Sequence, residues 1–370
     1  MNNDLEVFIS FTKIEGFDKY QKFKSSLYPY SYYGYYLLEL CCYYGAVDCF
    51  KFLRTKFNSK IAKRCLTFSF LGRNHEIMSE CLKQQEPDKE CMEYAIISHN
   101  IDFVTFLVNE YIMSIDLHAC KKYNNLDSFL VFYDQTNLLF SCLIFSTMLN
   151  IPSLCEYFLS LGVDINKKLL DGDEKGEYGE TALHIAAEYN SKEAAELLIS
   201  YGANIHEKDV YGQTALHIAA RENSKETAEV LISHGANINE KSEYGETSLH
   251  IAARENSKET AEVLILHGAN INEKGEYGIT SLHIAAECNN KEAAALLILH
   301  GANINEKDNY GQTALHHAAR ENRKETAEVL ISHGININEK DKDGEIALHK
   351  TALNHSEKTA ELLISHGAKN

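Results

Sequence analysis

Along the second half of the chain, apolar and polar positions alternate in blocks too long for a strand and too regular for a loop. In Gly212–Lys241, "GQTALHIAARENSKETAEVLISHGANINEK", an apolar block around Leu216–Ala220 gives way to polar Arg221–Glu226. A stripe containing Val230 and Leu231 follows, and then a polar tail. The spacing predicts a short first helix over "TALHIAA" plus two variable residues, and a second over "SKETAEVLISHG". "ANINEKDxYG" has no helical pattern, and its Tyr-Gly predicts a tight turn at a finger tip. The register returns every 33 residues at Thr181, Thr214, Thr247, Thr280 and Thr313, with Ile346 in the sixth slot. A fixed period of this size is the mark of stacked repeats.

Punctuation fits the pattern. Gly202, Gly235, Gly268, Gly301, Gly334 and Gly367 follow each second helix, where a left-handed stop favours glycine. His234, His267, His300, His333 and His366 precede most of those glycines and face the negative helix end. Asn190, Asn223, Asn256, Asn289 and Asn322 fall between the helices as left-handed breaks. Ser191, Ser224 and Ser257 then offer N-cap hydroxyls, with Glu193, Glu226 and Glu259 in the first turn. Paired alanines such as Ala219-Ala220 permit close stacking, and no unit buries its apolar face alone. The sixth unit carries Lys350 where the others have Ile or His317, and Asp343 where they have tyrosine; it reads as a polar C-terminal cap.

The first half is a worn version of the same rhythm. Helix-break-helix patterns are centred on Gly45, Asn74, Asn100, Asn124-Asn125 and Asn150, without a finger between pairs. The last pair runs into the first regular repeat after an insertion around "KKLLDGDEKGE". The tyrosine run Tyr28–Tyr36 reads as part of the first unit or an N-terminal cap, with a recognition segment as the alternative.

Composition divides the chain near residue 166. All 16 Phe, all 5 Met and 9 of 10 Cys lie before residue 161. The net charge of -17 is equally uneven: 15 Lys+Arg against 18 Asp+Glu up to Ser160 gives -3, and 21 against 35 thereafter gives -14. Such an acidic second half disfavours nucleic acid and anionic lipid and favours a basic protein segment. The N-terminus lacks a secretory pattern, and the cysteines, without a C-x-x-C pair, read as buried reduced thiols. The cytoplasm is the expected compartment, with the nucleus open. The apolar run Leu138–Leu149 is shorter than the roughly twenty residues of a spanning helix and predicts a buried one, so no membrane insertion is expected.

On its turn glycine, "TALH" or "TSLH" tetrad, paired alanines and "GANIN", Glu177–Asn370 closely resembles the ankyrin repeat family in six units. Proline after the threonine is replaced by Ala or Ser, and the inter-helix glycine by Asn or His355. The first half, on its helix-pair rhythm and "SLCEYFLSLGVDIN", resembles an uncharacterised ankyrin-like domain that precedes ankyrin arrays in many protist proteins. The expected fold is all-α: an α-solenoid of stacked helix pairs with short β-hairpin-like fingers in the C-terminal half. The expected domains are 1–166, aromatic and Cys-rich, and 167–370, six repeats.

His184, His217, His250, His283, His316 and His349 keep one spacing. Equivalent atoms of stacked helices lie about 8–10 Å apart, whereas shared zinc ligands sit about 2 Å from the ion. No metal site is therefore expected. No nucleophile-base pair, P-loop or glycine fingerprint suggests catalysis or a cofactor. The histidines read as structural, tying the turn threonine to nearby backbone, and the resemblance implies the same.

The resemblance also places partner binding on the concave face made by finger tips and first helices. Here that face includes Tyr178, Tyr211, Tyr244, Tyr277 and Tyr310, with Glu180, Gln213, Glu246, Arg221, Arg254 and Arg320 beside them. Exposed tyrosine gives contact area at low entropic cost; the alternative origin of this row is duplication alone. The expected function is a non-enzymatic protein-interaction scaffold for a basic or extended segment. The alternatives are an adaptor whose first half recruits a second machine, or an enzyme with its site in the aromatic half.

Overall fold

A computed structural model describes residues 3–24, 33–169, 178–353 and 356–369. Tyr28–Tyr32, most of the insertion up to Glu177, and His355 lie outside them. The described residues form helices throughout, in two compact units, Met1–Leu138 and Leu139–Asn370.

The first unit opens with α1 (Leu5–Thr12), followed by four helix pairs. These are α2 (Leu37–Tyr43) with α3 (Val47–Phe57), α4 (Lys63–Leu71) with α5 (His75–Leu82), α6 (Lys89–Ile97) with α7 (Ile101–Tyr111), and α8 (Leu117–Lys122) with α9 (Leu126–Thr136). The breaks fall where the sequence places them, with one refinement. At Asn74 and Asn100 the left-handed residue is the preceding Arg73 or His99, and the asparagine side chain caps the next helix instead. Aromatic edges fill the interior: Tyr35, 2% exposed, meets Phe68 at 5.2 Å, and Phe70 meets Phe103 at 5.4 Å. Within the tyrosine run, Tyr35 thus packs inside and pairs with Phe23 through two backbone bonds of 2.9 Å. Two inter-helix loops touch at glycines, since a Cβ on Gly72 would lie 2.0 Å from the Cys42 carbonyl.

The second unit begins with α10 (Leu139–Met148) and α11 (Pro152–Ser160). Six pairs follow: α12 (Ala182–Glu188) with α13 (Lys192–Ser200), α14 (Ala215–Arg221) with α15 (Lys225–Ser233), α16 (Ser248–Glu255) with α17 (Lys258–Leu266), α18 (Ser281–Cys288) with α19 (Lys291–Leu299), α20 (Ala314–Arg320) with α21 (Lys324–Ser332), and α22 (Ala347–Leu353) with α23 (Glu357–Ser365). Each first helix packs on the next first helix and each second on the next second, giving the two layers of an α-solenoid. The stack already includes α10 and α11, which pack on α12 and α13, so the compositional break near residue 166 falls inside this unit. The apolar run predicted as a buried helix is α10, with Cys142, Leu143 and Phe145 fully buried. The paired alanines from Ala186-Ala187 to Ala318-Ala319 are at most 1% exposed, which is what close layers require. No helix of the described residues is long and apolar enough to cross a membrane.

Two caps differ from the sequence expectation. The hydroxyls of Ser191, Ser224 and Ser257 make no cap bond to their own helices. Instead, the third amide of each second helix is taken by the asparagine of the preceding unit. Ala194, Thr227, Thr260, Ala293, Thr326 and Thr359 donate to Asn150, Asn190, Asn223, Asn256, Asn289 and Asn322 at 2.9–3.3 Å. The same asparagines hold a left-handed backbone, φ 51–63°, and five of them donate to a glutamate in the first turn of that same capped helix of the next unit. Lys350 is likewise not a polar outer face: it is 6% exposed, with Nζ 2.7 Å from Asp341 and 2.5 Å from Glu345. The isoleucine slot is interior, so a lysine there carries its own counter-charges.

Candidate functional site

Each first helix starts from a threonine-histidine box. Thr181, Thr214, Thr247, Thr280 and Thr313 donate their amides to Nδ1 of the histidine three residues on, at 3.1–3.2 Å, with the hydroxyl 2.8–2.9 Å from the same nitrogen. Nε2 donates across the repeat boundary to the carbonyl of Gln213, Glu246, Ile279, Gln312 or Glu345, at 3.1–3.2 Å. A carbonyl cannot donate, so the proton resides on Nε2 and Nδ1 is the acceptor. These imidazoles are at most 1% exposed, and burial lowers the pKa of all five, that of His283 to about 4. His349 is exposed and accepts the Ile346 amide at Nδ1, 3.1 Å.

The box fixes the finger of the following unit. These fingers close with a backbone bond from Asp209 to Gln213, Ser242 to Glu246, Gly275 to Ile279, Asp308 to Gln312 and Asp341 to Glu345, at 2.8–2.9 Å, and the turn glycine of each donates back to the first residue at 3.0–3.2 Å. At Asp209, Asp308 and Asp341 the carboxylate also accepts two amides of its own tip. Stems are tied by lysines: Nζ of Lys208, Lys241, Lys274 and Lys307 donates to the carbonyl 33 residues on and pairs with a neighbouring glutamate.

The five predicted tyrosines lie at the tips, 36–55% exposed. Tyr178 meets Tyr211 at 5.4 Å, Tyr211 meets Tyr244 at 6.4 Å and Tyr277 meets Tyr310 at 6.3 Å. Their predicted neighbours divide. Glu180 is a correction to the exposed set: it is 7% exposed, and burial, with Glu188 next, pushes its carboxyl up to about 7. Gln213 is half-buried and accepts from Arg221 at 3.4 Å; Arg221 also pairs with Glu222 at 2.8 Å. Arg254 grips Glu246 with both guanidinium ends, and Arg320 pairs with Glu321 at 3.0 Å.

Sequence reasoning missed one buried cluster. His317 places Nε2 3.1 Å from Asp308 and Nδ1 3.2 Å from Glu287, with its ring 5.2 Å from that of His283. Burial pulls its pKa down, but the two carboxylates outweigh burial and leave it raised. The signal was present in the His for Ile exchange nine residues after an aspartate, the spacing that Lys350 repeats with Asp341.

A family model described as ankyrin repeats (3 copies) matches residues 116–209, 143–242, 206–275, 234–308 and 282–370, together well over half of the chain. The chain belongs to the ankyrin repeat family. The match begins at Asp116, the N-cap of α8, ahead of the regular period, in keeping with the worn pairs of the first half. Residues 57–132 match a domain of unknown function (DUF3447). No curated protein matches the chain. Ankyrin repeats indicate a role in protein–protein interaction, and ankyrin repeat proteins are generally non-enzymatic scaffolds.

Proposed function

We propose that the finger and first-helix face of the ankyrin array docks a partner protein through a basic or extended segment of that partner. One observation carries this reading. The five tip tyrosines keep a third to a half of their surface in solvent, while Arg221, Arg254 and Arg320 and the stem lysines Lys208, Lys241, Lys274 and Lys307 are tied to carboxylates and carbonyls of the array itself. What the face offers a partner is therefore aromatic area and uncompensated negative charge, in a half of the chain that carries -14.

The test is capture by the intact chain, run beside a variant with Tyr211, Tyr244 and Tyr277 all replaced by alanine. The variant should lose the captured partners, with affinity lower by about tenfold or more, while helicity and melting stay near those of the native chain. Equal capture by both chains would refute the proposed face.

A further inference from the structure

The fingers are joined tip to tip in one recurring way, and one junction departs from it. The amides of Val210, Glu243, Asn309 and Lys342 donate to the carbonyl of the tyrosine in the preceding finger, Tyr178, Tyr211, Tyr277 and Tyr310, at 2.8–3.0 Å. Among the described residues no such bond joins Glu276 to Tyr244, and no ring contact joins Tyr244 to Tyr277. The cause is at position 275. Where the fingers at Asp209, Ser242, Asp308 and Asp341 carry a side chain that holds tip amides, this one has Gly275, a residue type shared in that slot only by Gly176 of the first repeat, which has no regular finger before it. Its tip closes instead as a single 3-10 turn, Glu276–Gly278, with Tyr277 left-handed at φ 55°.

The break leaves a cleft of about 440 Å³ between the two tyrosines. Its lining carries three carboxylates: Glu246 is held by both ends of Arg254, Glu287 lies 3.2 Å from His317 and 3.8 Å from Arg320, and Glu276 has no ion pair among the described residues. The floor is apolar, because Ile279 occupies the slot held in other fingers by Glu or Gln.

We propose that this gap is the anchor subsite of the docking face and takes the side chain of an arginine from a basic partner segment. The inference rests on the face proposed above and adds where and by what chemistry it grips. A planar guanidinium stacks on a tyrosine face while presenting in-plane donors to carboxylates at its edge. A lysine ammonium lacks the plane, and an acidic side chain meets net negative charge. The size suits one long side chain with its waters and lies within the range of small ligand pockets.

Cys288 supplies a local reporter: it lines the cleft and is exposed, whereas the other nine cysteines are buried. The experiment uses the intact chain and short glycine-serine peptides carrying several arginines, or in their place lysines, citrullines or glutamates. Binding is read by anisotropy, and Cys288 alkylation by a neutral maleimide. The arginine peptide should bind tightest and slow Cys288 alkylation by about fivefold or more, by occlusion of the cleft. Gly275→Asp should weaken that binding by about tenfold, because it restores the tip acceptor and closes the gap. The backbone accepts a side chain, since Gly275 has φ -81°, and a Cβ there would lie 3.3 Å from the Gly245 carbonyl oxygen, a tight contact relieved by a small shift of that tip. Glu276→Gln should weaken it by about threefold, as loss of one exposed counter-charge. Arginine binding that is lost with Tyr211→Ala but indifferent to Gly275→Asp would overturn the anchor and keep the face. Binding indifferent to both would overturn both. Failure of the arginine peptide to bind, or equal binding of its citrulline or glutamate counterpart, would also overturn the anchor.

Discussion

Each threonine-histidine box sets two donors, an amide and a hydroxyl, against one imidazole nitrogen. Protonating that nitrogen would turn an acceptor toward donors, in a site already stripped of water, so burial and geometry both oppose the charged form. Removing one such ring from the middle of the array leaves the Thr247 amide without a partner and takes from the Ile279 carbonyl one of its two donors, the Gly275 amide remaining. His250→Ala should therefore cost about 2–4 kcal/mol in a urea melt; an unchanged melt would remove the structural role. The pH dependence follows from the same rings. Their folded pKa lies below the unfolded value near 6.5, so the unfolded chain binds more protons between the two. The stability they contribute is full above about 6.5 and falls as pH is lowered toward about 4, the folded value of His283. His317 runs the opposite way: with its folded pKa raised, its contribution is full below the unfolded value and is lost as pH rises through the folded one. Titration of the two rings by NMR checks both signs, and His283 titrating above 6.5 would contradict the box geometry.

At the scale of elements, the asparagine between two helices does two tasks. Its backbone turns left-handed and its side chain caps the second helix of the next unit, so the cap is a contact between repeats. Asn223→Gly keeps the backbone option and removes the cap, which should cost about 1 kcal/mol. Asn223→Ala adds the left-handed penalty, about 1–2 kcal/mol more. Equal melts for the glycine variant and the native chain would deny the cross-repeat cap. The helix pairs, their breaks and the period were legible because apolar spacing and glycine or asparagine stops are local signals. The caps were not, since Ser224 sits at the right place for an N-cap, and only stacking brings Asn190 to the third amide. Packing likewise hid Glu180 and Lys350: both read as exposed in the repeat pattern, yet they are 7% and 6% exposed, Lys350 against Asp341 and Glu345 of its own finger. The tyrosine row was legible from its period, whereas its break required the tip geometry that Gly275 changes.

For the whole molecule, two helical units share one construction and differ in chemistry: the first carries the aromatic core and most thiols, the second the acidity and the fingers. Partner binding to an acidic face must weaken with salt, and raising ionic strength from about 0.05 to 0.5 M should reduce affinity severalfold, since surface attraction is screened within a Debye length. A salt-independent affinity would point to apolar contact alone. The central claim concerns which surface meets the partner, and amide hydrogen exchange on the intact chain, with and without a captured partner, reads it most directly. Protection should concentrate in the finger tips around Tyr211, Tyr244, Tyr277 and Tyr310 and in the first helices behind them. Protection confined to the second helices, or to residues 3–138, would contradict the claim.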